Sequence, residues 1–123
     1  MSRAGGINVA VKMYHNPKCS KSRETLALLE ERGITPELIL YLETPPSASE
    51  LAELLKMLGL EPRELMRSKE AVYRDRGLAD EALARNDLID AMVEHPILIE
   101  RPIVINDGRA ALGRPPANVL DIL

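Results

Sequence analysis

Between Val9 and Leu42 the hydrophobic period changes twice, and that change narrows the folds open to the chain. Val9, Val11 and Met13 alternate with Ala10, Lys12 and Tyr14, a strand of period two. From Ser20 to Arg32 the placing of Leu26, Ala27, Leu28 and Leu29 predicts an amphipathic helix, which Gly33 is suited to end. Glu37 to Leu42 reads as a second strand, stopped by Thr44-Pro45-Pro46. A strand, a helix and a strand in that order call for a right-handed crossover between parallel strands.

The rest of the chain alternates helical and extended signals. Ser47 with Glu50 three residues later is a capping box, and Leu51, Leu54, Leu55 and Leu58 form one apolar face as far as Gly59. Pro62 suits the first turn of a short helix over Pro62 to Met66, and Ser68 to Gly77 reads as a polar loop. Two more helices are expected, about Ala79 to Ala84 and about Asp87 to Glu94, the second burying Leu88, Ile89, Met92 and Val93 before Pro96. Ile97 to Ile99 and Pro102 to Ile105 are β-branched and extended in pattern. Asn106-Asp107-Gly108 is a hairpin turn that returns the chain along Arg109 to Leu112, and Ala117 to Leu123 fits a closing helix. The order is that of an α/β, thioredoxin-like fold, a β-α-β / β-β-α core with a helical insertion, about 47–95, between its halves. Other wirings of an α+β domain give much the same string.

The 123 residues suffice for one domain with one core, expected over 9–123. With no Phe and no Trp, that core must be aliphatic. Residues 1–8 lack the apolar stretch of a signal peptide and are expected to form a loose leader. No apolar run approaches the roughly 20 residues that span a bilayer, so no membrane contact is expected. The net charge of -3 weighs against general nucleic-acid binding. A lone cysteine excludes an internal disulfide and points to a reducing, cytoplasmic setting; a monomer is expected.

That cysteine, Cys19, lies in Tyr14-His15-Asn16-Pro17-Lys18-Cys19-Ser20-Lys21-Ser22-Arg23, where a strand ends and a helix begins. Through Arg23 the chain holds five Lys or Arg and no acid. Unpaired N–H groups and the helix dipole favour an anion at such a position, the thiolate included. A thiol here should ionise below the value of about 8.5 for a free cysteine. Against this stands the ordinary role of a single cysteine as a small buried hydrophobe.

His15-Asn16-Pro17-x-Cys19-x-x-Ser22-Arg23, Tyr41-Leu42-x-x-Pro45-Pro46, Leu65-Met66-Arg67, His95-Pro96-Ile97-Leu98-Ile99-x-Arg101-Pro102-Ile103-Val104 and Arg114-Pro115 occur in order along nearly the whole chain. In these segments the chain resembles the glutaredoxin-coupled arsenate reductases. The resemblance implies a thioredoxin-like fold with a helical insertion. It implies that Cys19 attacks arsenate to form a covalent adduct, that Arg67, Arg101 and Arg114 bind the oxyanion, and that His15 and Ser22 support the thiolate. Asn16 and Pro102 would be structural parts of the site. Glutathione would act as co-substrate and glutaredoxin would reduce the mixed disulfide that results, with no bound cofactor and no metal. The chain departs from the family's best-known members in carrying Ser20-Lys21 where they have Gly-Thr.

The chemistry of the residues is compatible with those roles. Arginine forks hold tetrahedral oxyanions through paired, charge-assisted hydrogen bonds. A chain with one cysteine cannot resolve its own adduct as an internal disulfide, so it needs an external thiol. Taken singly, each arginine reads as a surface charge. Arg63, Arg74, Arg76 and Arg109 are left in that class, and Arg23 stands between a site role and pairing with Glu24 or Glu30. His15 either helps the thiolate or bonds the loop backbone, and His95 reads as structural. A thioredoxin-like fold also predicts a cis Arg101–Pro102 peptide. Two other functions fit part of the pattern: a monothiol, glutathione-dependent disulfide oxidoreductase, and a thioredoxin-like regulator that docks on RNA polymerase.

Overall fold

The computed structural model describes residues 11–123; Val9 and the expected leader lie outside them. The chain divides into two compact units, Leu42–Glu100 and the residues on either side of it, up to Tyr41 and from Arg101 onward.

The flanking unit holds the sheet. Strand β1 is Val11–Tyr14, helix α1 Ser20–Glu31 and strand β2 Glu37–Ile39. After the intervening unit come β3, Ile103–Asn106, and β4, Arg109–Leu112, then a 3-10 helix over Pro116–Ile122. The strand order is β2-β1-β3-β4. β1 runs parallel to β2 and antiparallel to β3, with Met13 opposite Leu38 on one side and Val104 on the other. This is the thioredoxin-like arrangement expected from the two halves. β2 stops three residues short of the expected Leu42, because β1 has ended: Tyr14 pairs with Ile39, and the last bond runs from the His15 N–H to the Ile39 carbonyl at 2.9 Å. With no neighbour left to pair with, residues 40–42 leave the sheet.

Val11, Met13, Leu29, Val104, Val119 and Ile122 form this unit's aliphatic core. Leu29 is fully buried, a burial that stabilises by about 1.5–3 kcal/mol. The buried face of α1 differs from its apolar reading. Leu29 is joined there by Ser22 and Thr25, while Leu26 and Leu28 are only half-buried and Ala27 is exposed. Small polar side chains line the first two turns, next to the end that carries Cys19. The β3–β4 turn has Asp107 and Gly108 both at positive φ, 52° and 76°, the geometry of a type I′ hairpin. The closing segment is a 3-10 helix rather than the expected α-helix.

The Leu42–Glu100 unit contains α2, Ala48–Leu58, a 3-10 turn at Pro62–Leu65, α3, Ala71–Asp75, α4, Arg85–Glu94, and a 3-10 turn at Pro96–Leu98. The capping box is present: Ser47 Oγ accepts from the Glu50 N–H at 3.1 Å and Glu50 Oε1 from the Ser47 N–H at 2.8 Å. Gly59, at φ 68°, closes α2 in the left-handed region. Three expectations are corrected here. The loop at 68–77 contains α3. The helix at 79–84 is a run of turns, in which Asp80 Oδ1 accepts the Ala82 N–H at 2.9 Å and competes with helical bonding. Ile97–Ile99 is not a strand: Pro96 starts a 3-10 turn, and Ile99 makes only an isolated bridge to Met66.

Candidate active site

β1 delivers the chain to a short loop at 15–19, and α1 starts directly after it. Asn16 Oδ1 accepts the Lys18 N–H at 3.0 Å, and the Cys19 N–H donates to the Asn16 carbonyl at 2.9 Å. These two bonds fold the loop into a tight turn that leaves Cys19 as the N-cap of α1, with extended backbone angles, φ -96° and ψ 124°. An N-cap side chain faces the N–H groups of the first helical turn. The Cys19 thiol forms no capping hydrogen bond of its own, and the first turn contains no acid.

Opposing effects act on this thiol. Burial pushes its pKa up; against that, the backbone N–H of Ser22, the charge of Arg101, the backbone N–H of Lys21 and a hydrogen bond from Arg101 all pull it down. The balance lies below the ordinary thiol value. A folded protein that holds Cys19 in this way keeps a larger fraction as thiolate, the nucleophilic form. Cys19 is nearly buried, at 8% exposure, so its thiol reacts only with what enters its loop.

His15 and Ser22 join the loop to the first turn of α1. His15 Nδ1 lies 2.7 Å from Ser22 Oγ, and the Asn16 N–H donates to the same oxygen at 3.0 Å. Ser22 thus ties loop to helix with its hydroxyl while its N–H faces the sulfur. The His15 pKa is lowered from 6.5, first by burial and then by the charge of Arg23, so the imidazole is neutral at pH 7. The unfolded chain binds a proton near pH 6.5 that the folded protein refuses until the pH is lower. Folding stability should therefore fall as pH drops through about 6.5, and stop falling below the folded-state pKa. In His15→Asn, which can still bond Ser22, urea midpoints between about pH 5 and 8 should lose that slope. An unaltered slope in the variant would refute the assignment.

The expected cis Arg101–Pro102 peptide is present, and Arg114–Pro115 is cis as well. Arg114 Nη1 donates to the Arg101 carbonyl at 3.0 Å, which links two of the three arginines singled out in the sequence. Arg67 is placed in the Leu42–Glu100 unit. Its N–H donates to the Leu98 carbonyl at 2.7 Å and its guanidinium pairs with Glu70 at 3.1 Å, a partner that sequence reading did not supply. Arg23 also takes a definite place: Nη1 donates to the Pro17 carbonyl at 2.9 Å, bracing the nucleophile's loop. The spacing of six residues across a loop gives no sequence signal for such a bond. Lys21, by contrast, pairs with Glu24 at 3.8 Å, and Arg101 is the cation that lowers the thiol. Among the described residues no group of three or more His, Cys, Asp or Glu side chains could hold a metal ion. No helix among them is long and apolar enough to cross a membrane.

A nearly buried thiol facing helix N–H groups and a guanidinium is arranged for nucleophilic attack on an anionic centre. Comparison with known proteins agrees on where such a chain belongs. The chain is 58% identical over 114 residues to the uncharacterized protein YfgD of Escherichia coli strain K12, covering 92% of this chain and 96% of that protein. It is 50% identical over 116 residues to a Haemophilus influenzae protein named arsenate reductase, covering 94% and 100%. The solved structure titled arsenate reductase from Vibrio cholerae superposes with a TM-score of 0.91 at 58% identity, covering 94% of this chain and 98% of that one. The ArsC family model matches residues 14–122, from the end of β1 to the closing 3-10 helix, and the chain belongs to the ArsC family.

Proposed function

We propose that the protein reduces arsenate to arsenite through a covalent cysteine–arsenate adduct that glutathione and glutaredoxin resolve. The observation that carries this reading is the Cys19 thiol, held below its ordinary pKa at the N-terminus of α1 by the Ser22 and Lys21 N–H groups and by Arg101. The naming of relatives at 50% identity as arsenate reductases supports the substrate.

In the first step the Cys19 thiolate attacks arsenic, a sulfur–arsenic bond forms, and one arsenate oxygen leaves as water after protonation. Arg101 and Arg114 stabilise charge on the remaining oxygens; such preorganised donors are often the largest single contribution to catalysis. Arg67 is assigned to the same anion by its place in the family motif Leu65-Met66-Arg67. His15 is neutral, so it acts by holding Ser22 rather than by lending positive charge. Glutathione thiolate then attacks the Cys19 sulfur. A disulfide forms, the sulfur–arsenic bond breaks with its electron pair going to arsenic, and arsenite departs. Glutaredoxin reduces the mixed disulfide and restores the thiol. The chain has no second cysteine to take glutathione's place.

The test is arsenate-dependent NADPH oxidation in the presence of glutathione, glutaredoxin and glutathione reductase. Turnover should require arsenate and stop when glutathione is omitted. Steady arsenite production without any added thiol would overturn the resolving steps. A folded protein that reduces glutathione mixed disulfides but shows no arsenate dependence would be a monothiol disulfide oxidoreductase instead.

A further inference from the structure

The segments bearing Arg101 and Arg114 meet at Gly113. Its N–H donates to the Pro102 carbonyl at 2.9 Å, so Arg101–Pro102 and Gly113–Arg114 run side by side. The Arg114 guanidinium closes the pair on the Arg101 carbonyl. Against Gly113 stands α1, through Thr25, a fully buried polar residue whose Oγ1 donates to the Lys21 carbonyl at 2.8 Å. At helical spacing Cys19, Ser22 and Thr25 follow one another down one face, so Thr25 lies two turns from the sulfur and one turn from Ser22.

The junction has no slack. A Cβ on Gly113 would lie 2.5 Å from Thr25 Oγ1, 2.8 Å from Pro102 Cγ and 3.2 Å from Thr25 Cγ2. Gly113 is not among the glycines at positive φ, so its backbone admits any residue and only space requires glycine. A methyl group there can be admitted in three ways: α1 moves, Pro102 moves with the adjoining Arg101, or Thr25 turns and releases the Lys21 carbonyl. Each alters the relation between Arg101 and the helix end that carries the thiol.

We infer that Gly113 and Thr25 are positioning residues for the reaction, a steric register that fixes how closely the two arginines stand to the nucleophile. This rests on Cys19 acting as nucleophile as set out above. Misplacement by a fraction of an ångström is enough to matter, since a shift of about 1 Å can lower a rate on the order of 100-fold.

The experiment compares Gly113→Ala, Gly113→Ala with Thr25→Ala, and the parent protein. Thiolate ultraviolet absorbance titrates Cys19 directly, because the chain has no other cysteine. In Gly113→Ala the thiol should titrate at higher pH than in the parent, and kcat/KM for arsenate should fall about tenfold or more. Adding Thr25→Ala removes both Thr25 contacts, leaves the Pro102 ring to give way, and should recover part of both losses. A folded Gly113→Ala with unchanged titration and unchanged kcat/KM would overturn the inference, as would a double variant no better than the single one. If Gly113→Ala does not fold, the double variant decides: a folded protein with titration near the parent's upholds the register, and anything else refutes it. The titration needs no arsenate. A parent protein inactive on arsenate would sink the proposed function and still leave the register to be judged from the thiol.

Discussion

Cys19→Ser will abolish arsenate-dependent turnover, by about 10⁴-fold or more, without weakening the fold. Arg101 and two backbone N–H groups can bring a thiol toward ionisation, but a serine hydroxyl starts too far above neutral pH for the same help to produce an alkoxide. The same oxygen is a better helix cap than sulfur. Cys19 occupies the N-cap of α1 without forming a capping hydrogen bond, whereas serine accepts readily from the N2 and N3 N–H groups. Activity and stability should therefore move in opposite directions, with a gain of at most about 1 kcal/mol in the variant at low pH. The parent has a compensating contribution of its own. Its thiol pKa is depressed on folding, so it gains stability as pH rises from the folded-state value toward the unfolded thiol's, about 8.5, and loses it as pH falls. Serine carries no such dependence. The variant's advantage in urea midpoint should shrink as pH rises. Residual turnover, or a variant markedly less stable at low pH, would count against the assignment.

Arg101→Met should lower kcat/KM for arsenate by about 10²–10³-fold and move the Cys19 titration to higher pH. Methionine keeps much of the arginine stem and removes both the charge and the fork. Two effects are then lost together: the cation that favours the thiolate and the donors that meet developing charge on the oxyanion. Arg101→Lys separates them. An ammonium restores a positive charge near the sulfur but cannot make paired, planar contacts to a tetrahedral anion. Its titration should return toward the parent's while kcat/KM stays low. An Arg101→Met protein whose thiol titrates as in the parent would show that Arg101 does not govern the nucleophile.

The fold was legible wherever local chemistry and tertiary demand agree. The alternation of Val11 and Met13, the Ser47 and Glu50 box, Gly59 as a stop and the Asp107-Gly108 hairpin all fall as the residues predict. It was misread where a partner decides the outcome. Leu40 to Leu42 have strand character but no strand beside them once β1 ends at Tyr14. α3, only five residues long, has none of the apolar repeat that would announce it. Of the site, the thiol loop could be read because its chemistry is contiguous. His15, Asn16, Cys19 and Ser22 lie within eight residues and bond to one another or to their shared turn. Gly113 and Thr25 could not, since no spacing rule links residues 88 apart, and a glycine chosen for space looks in sequence like any other. Arg23 and the pairing of Arg67 with Glu70 were hidden for a similar reason, that side-chain partners depend on how the loops close.

The two longest helices end differently at their N-termini. α2 is sealed by its own residues, Ser47 and Glu50 answering each other's N–H groups. α1 begins with a cysteine that makes no side-chain capping bond and with no carboxylate in its first turn. No resident acid offsets its dipole end, and negative charge reaches that end by ionising the thiol or with an anion arriving at it. Any substitution that sealed the end with a resident acid would strengthen the helix and occupy the very position where charge is to be received.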